Sequence, residues 1–228
     1  MISTLLQVVM ESDTATVVQA EFEKLSVLNL LLKGGWIMIP LIILAVIAAY
    51  IFIERYKVIK RSSEIDANFM NKIRDLVLNG NIEGAKSICM SKDNPTARMI
   101  EKGISRIGNP LKDISISIEN VGNLEVFKLE KKLSSLATIS GAAPMLGFLG
   151  TVTGMIQAFY KLSTAGNNVD PGLLAGGIYQ AMITTATGLA IGILAFVGYN
   201  ILTAMIKKVV FKMEATTMEF IDVLHEPA

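Results

Sequence analysis

The chain has 228 residues, 52% of them hydrophobic and 18% charged, with a mean hydropathy of +0.51. That balance fits a membrane protein with a substantial aqueous part, and 21 basic against 20 acidic residues leave no global field to recruit nucleic acid. Cys89 is the single cysteine and His225 the single histidine, which excludes an intrachain disulfide, a CxxC metal spacing and a paired-imidazole metal site.

The opening stretch MISTLLQVVMESD has a short apolar run and lacks a basic leader, so it reads as retained rather than as a secretory signal. Within the outside segment 1–33, residues 21–33 (EFEKLSVLNLLLK) put Phe22, Leu25, Leu28 and Leu32 on one face. That pattern suits a helix lying on the outer membrane surface, and it suits equally an ordinary lead-in to the first span.

Residues 34–53, GGWIMIPLIILAVIAAYIFI, are free of charge. At ~1.5 Å per residue, their roughly 20 positions match a hydrocarbon core of ~30 Å. Trp36 near one end and Tyr50 with Tyr56 near the other are interfacial anchors. Pro40 falls in the first turns, where a missing donor costs little.

The segment 54–132 reads as a helical domain. Ile65, Phe69, Ile73, Leu76 and Val77 repeat at helical spacing, and Asn79-Gly80 closes that helix. Shorter helices are expected around 83–90 and 95–107, parted by Asp93-Asn94-Pro95, with Cys89 as a small buried residue. From Asp113 the apolar positions Ile114, Ile118, Val121, Leu124 and Leu129 predict one long helix running into the second span despite Gly122.

Charge-free runs extend from Leu133 to Tyr160 and from Pro171 to Ile206. They amount to roughly 28 and 36 residues, or ~42 and ~54 Å of helix, so part of each must leave the bilayer or be sheltered by neighbours. The turn 161–170 (KLSTAGNNVD) makes them an antiparallel hairpin, and 207–228 follows as a tail in which His225 is expected on a frayed end.

Lysine and arginine set the orientation. Arg55, Lys57, Lys60 and Arg61 follow the first span, Lys128, Lys131 and Lys132 precede the second, and Lys207, Lys208 and Lys212 follow the third. By the positive-inside rule, 54–132 and the C-terminal tail are cytoplasmic, while the N-terminus and the 161–170 turn are outside.

The second span carries Ala143, Gly147, Gly150, Thr151, Gly154 and Ala158 on one helical face, and the third carries Gly177, Ala181, Thr185, Gly188 and Gly192. Small residues let membrane helices approach closely. Gln180, Thr184 and Thr187 share a face with Thr185 beside it. These polar groups can hydrogen-bond within the helix contact, or they can line a path and offer oxygens to a cation. The pattern fits either.

KKLSSLATISGAAPMLGFLGTVTGMIQAF, Lys131 to Phe159, resembles the second span of the ExbB/TolQ family, with its "aP-LG-LGTV-Gmi-aF" string. YQAMITTATGLAIGILAFVGYN, Tyr179 to Asn200, is similar to that family's third span. The resemblance covers nearly the whole chain. It implies a multi-pass inner-membrane energy transducer that forms a homo-oligomeric ring, generally a pentamer, around two single-span helices of an ExbD/TolR-type partner. The partner supplies an ion-binding aspartate, and ion flow drives movement passed by a TonB-like protein to the outer membrane. Thr151 and Thr185 match the family's ion-path threonines and Pro144 its proline in the second span.

Gln180 departs from the pattern, standing where typical ExbB proteins carry glutamate. A carboxamide exchanges no proton at accessible pH and cannot be a relay. The Thr184-Thr185 pair looks like that of sodium-driven flagellar stators in the related MotA/PomA branch. The expectation is therefore a cation site near Thr151, Thr184 and Thr185, with Gln180 secondary and sodium ahead of protons. No enzyme and no bound cofactor are expected: GFLGTVTG follows no strand, and no nucleophile stands with a base. A TolQ-type or gliding or secretion stator subunit is the alternative, and a structural membrane scaffold a weaker one.

Overall fold

The structure, a computed structural model, describes residues 34–63, 68–164 and 171–225. All its elements are helices: α1 Met38–Ser62, α2 Phe69–Leu78, α3 Ile82–Met90, α4 Pro95–Ile104, α5 Leu111–Glu130, α6 Leu133–Thr164 and α7 Pro171–His225. Stretches within Met38–Ser62, Leu111–Thr164 and Leu174–His225 are long and apolar enough to cross a membrane. The chain is thus an all-α membrane protein with three long apolar helical stretches, as its composition predicts. The amphipathic 21–33 segment, Ile65 and the 165–170 part of the polar turn lie outside the described residues.

The chain divides into two compact units, 1–45 with 141–192 and 46–140 with 193–228. In the first, the start of α1 packs on α6 and α7 through Ile37, Met38, Leu41 and Ala143, flanked by Leu44, Leu146 and Ile191. Pro40 stands in the first turn of α1, where backbone donors have no intrahelical partner in any case. Ile39, Ile42 and Ile43 are exposed, as expected of a surface that meets lipid.

The second unit is a helical bundle around Ile73, Ile100, Ile104, Ile114, Ile118, Met213 and Phe220. Asn81 caps α3 by accepting from Gly84 N at 2.9 Å, and Asn94 caps α4 by accepting from Ala97 N at 2.7 Å. Pro95 follows in the first helical position, so the Asp93-Asn94-Pro95 signal is a helix start. Gly103 lets α4 approach its neighbours: a Cβ there would meet Phe220 Cε1 at 2.6 Å and Ile118 Cδ1 at 2.7 Å. Cys89 is buried, as expected.

Two expectations are corrected. The helix predicted to run unbroken from Asp113 into the second span stops at Glu130 and restarts at Leu133, with Lys132 in the left-handed region at φ 68°. For a residue with a Cβ that conformation costs about 1–2 kcal/mol, and tertiary contacts offset it. Lys132 Nζ donates to both carboxylate oxygens of Glu54, at 2.6 and 2.9 Å, and sits 5.4 Å from the centre of the Tyr50 ring. Gly122, a weak helix former, does not break α5: its bare Cα makes room for Met99. The second correction concerns His225, which is the last residue of α7 rather than part of a frayed end. Burial of Val209, Met213, Phe220 and Val223 keeps the helix ordered to that point.

Candidate functional site

The site is the seam between α6 and α7 in the first unit, and glycine makes it. A Cβ on Gly188 would lie 2.6 Å from Ala143 O and 2.9 Å from Gly147 Cα. One on Gly147 would meet Thr184 O at 2.9 Å and Thr185 Cα at 3.2 Å. Further along, Gly154 faces Ala181, with 3.1 Å from its would-be Cβ to the Ala181 Cβ, and Gly177 faces Ala158 at 2.5 Å. Backbone therefore lies on backbone, the close approach predicted from the two small-residue faces. Gly192 is buried as well. Pro144 lies inside α6, where it leaves the carbonyl four residues earlier without its usual helical donor.

The polar groups divide by what they touch. Thr184 is buried at 1% exposure beneath Gly150, whose missing side chain leaves the space its Oγ1 and Cβ occupy, and its hydroxyl donates to Ala181 O at 2.8 Å. Thr185 is half-buried and donates across the seam to Gly147 O at 3.1 Å. Thr151, also half-buried, donates to Phe148 O at 2.5 Å. Thr187 donates to Ile183 O at 2.8 Å and Thr153 to Leu149 O at 3.0 Å. Each of these hydroxyl protons is committed to a carbonyl, so each oxygen presents only lone pairs to anything else that approaches.

Gln180 lies farther along the seam and also reaches the α1 lead-in. Its carboxamide lies against Gly35, which has φ 74° and leads into α1, and the neighbouring Gly34 faces Ile183 at 3.5 Å. Gln180 also lines a cavity of about 160 Å³ with Gly154, Gln157, Lys161 and Gly177. The structure thus joins Thr184 and Thr185 to the α6 contact and directs Gln180 toward the α1 lead-in. Nothing near Gln180 in sequence signals Gly35, because the contact is tertiary.

Arg55, Lys128 and Lys132, which mark the topology, join Glu54, Arg98 and Glu125 in a network in the second unit. Arg55 is 7% exposed, donates to Glu54 Oε1 at 2.8 Å and to Lys128 O at 3.3 Å, and leaves its Nε buried without a partner. Glu125, 3% exposed, accepts from Arg98 and Lys128, each at 2.7 Å. Burial alone would raise the Glu125 carboxyl, but these two cations outweigh it and hold the group below the usual carboxylate range. No cluster of His, Cys, Asp and Glu able to hold a metal occurs among the described residues.

This geometry sits inside a recognisable sequence region. A model of the MotA/TolQ/ExbB proton channel family matches residues 91–215. Among curated proteins, the chain is 34% identical over 121 residues to a biopolymer transport protein ExbB homolog of Methanothermobacter thermautotrophicus, a match covering 53% of this chain and 42% of that one. It is 26% identical over 176 residues to the biopolymer transport protein ExbB-like 1 of Synechocystis, covering 76% and 69%. It is also 35% identical over 106 residues to the Tol-Pal system protein TolQ of Haemophilus influenzae, covering 46% of each. The family match includes α6, the seam and most of α7, and with that the chain belongs to the MotA/TolQ/ExbB proton channel family as an ExbB-type protein.

Proposed function

We propose that the chain is the ring-forming subunit of an inner-membrane motor that uses a cation gradient to energise TonB-dependent transport across an outer membrane. The observation that carries this is the pair of hydroxyl oxygens of Thr184 and Thr185 at a glycine-lined seam, with Thr151 on the adjoining α6, in spans that hold no carboxylate of their own. A hard monovalent cation takes oxygen ligands, and hydroxyls whose protons already point at carbonyls offer lone pairs to it. A proton path would call for titratable groups, and Gln180 supplies none.

On this reading the ring, a pentamer in the resemblance, surrounds two single-span helices of an ExbD/TolR-type partner. The partner's aspartate completes the site, and a TonB-like protein carries the movement outward. The N-terminus lies outside and the C-terminus in the cytoplasm, in keeping with the lysine and arginine asymmetry. Sodium is preferred over protons. Comparing TonB-dependent uptake driven by a sodium gradient with uptake driven by a proton gradient tests the choice: uptake is expected to follow sodium. Sodium independence with full sensitivity to a protonophore would overturn it.

The similarity to a Tol-Pal system protein favours a second reading, a TolQ-type subunit acting on the envelope. Gene neighbours separate the two, since a TonB gene beside an ExbD-like gene supports uptake and Tol genes support the alternative.

A further inference from the structure

Within the second unit, α5 and α7 leave a groove of about 540 Å³ between them. Its floor is apolar, formed by Met99, Val126, Val210, Met213 and Ile221 around the bare Cα of Gly122. Its rim is acidic: Glu119 stands on the α5 wall, Glu214 and Asp222 on the α7 wall, and neither lysine nor arginine lines it. These carboxylates are exposed and form no ion pair among the described residues, whereas nearby Glu125 is fully engaged. Met218, on the same rim, is 67% exposed.

We propose that this groove docks a cationic segment with an apolar anchor, contributed by a partner protein. Charge complementarity selects the occupant, since walls of one sign on both sides of an apolar floor favour a ligand with lysine or arginine flanking an apolar face. The α7 wall from Val210 to Asp222 is roughly 18 Å long, room for about three helical turns, and Glu214 and Asp222 stand ~12 Å apart along it. The matching segment carries cations about two turns apart on either side of its anchor. The positive-inside rule places such composition on the cytoplasmic flank of single-span membrane proteins, so the inference rests on the proposed orientation, which puts α5 and the end of α7 on that side.

The test uses the full chain in detergent and needs no ion gradient, so its failure leaves the motor reading standing and failure of ion-driven transport leaves this one standing. The probe is a fluorescent helical peptide of about 12 residues with leucine anchors flanked by lysines, compared with the same peptide bearing glutamates. The lysine peptide is expected to bind at least about tenfold more tightly and to weaken as NaCl rises from about 0.05 to about 0.5 M. Combining Glu119→Lys, Glu214→Lys and Asp222→Lys is expected to lower its affinity about tenfold, the sum of three modest rim pairs. Gly122→Leu, which fills the floor, should lower it too while the rim stays intact. Equal binding of both peptides, or indifference to the charge reversals, overturns the proposal. So does a changed oligomeric state of the reversed variant in native mass spectrometry, which would assign the groove to a second copy of this chain.

Discussion

Thr185 can act by packing or by ligation, and the two roles give different answers to the same pair of substitutions. Its hydroxyl donates to Gly147 O across the seam, and its oxygen keeps free lone pairs. Thr185→Val keeps the shape but leaves Gly147 O short of one partner, a cost of about 1 kcal/mol that helices this closely packed will survive. On the proposed reading that variant assembles and loses ion-driven transport, while Thr185→Ser, which retains the oxygen and loses only a methyl, keeps most of it. Equal transport by both variants would return Thr185 to packing alone. Cys89 gives a separate residue-scale test. Burial first, and the nearby Glu101 carboxylate second, push its thiol up to about 12. Alkylation requires thiolate, so at pH 8 iodoacetamide should label native protein far more slowly than unfolded protein, and labelling that matches the unfolded rate would contradict the burial.

The α6–α7 seam was readable in the sequence because close approach leaves a periodic mark: small residues return at helical spacing on both partners. The contact makes a graded prediction. At Gly188 an added side chain meets backbone atoms, Ala143 O at 2.6 Å and Gly147 N at 3.1 Å, which cannot rotate away. Gly188→Val is therefore expected to cost about 2–3 kcal/mol and lower the thermal midpoint in detergent. On α6, by contrast, Gly141 has nothing within 4 Å of its would-be Cβ, so Gly141→Ala should be neutral or stabilise by up to about 1 kcal/mol. Equal effects at the two glycines would contradict the packing. The break between α5 and α6 left no such mark. Lysine is a good helix former, so Lys131-Lys132 reads as continuous helix; the contact that accompanies the break is with Glu54, 78 positions away. The same holds for Gln180, whose place against Gly35 depends on how α1 enters the first unit. Periodic contacts could be read in advance, and single long-range polar contacts could not.

For the molecule as a whole, the decisive property is what the membrane helices hold and what they lack. Between Leu133 and Tyr160 and between Pro171 and Ile206 there is no Asp, Glu, Lys, Arg or His. Thr184 and Thr185 at the seam and Thr151 on α6 can offer oxygens to a cation, but they carry no negative charge to offset its desolvation, which in a low-dielectric interior costs several kcal/mol per ion. Hence, on the proposed reading, conduction needs a carboxylate from a second protein. Purified chain alone in liposomes should show cation flux no higher than protein-free vesicles. Co-reconstitution with a single-span partner bearing an intramembrane aspartate should raise flux well above that level, and changing that aspartate to asparagine should abolish the gain. If Gln180 marks a departure from proton coupling, Gln180→Glu in the co-reconstituted assembly should raise proton flux relative to sodium flux, because it introduces a titratable group. Substantial selective flux through the chain alone would mean that the threonines and their carbonyls suffice as a pore, and the two-protein reading would fall.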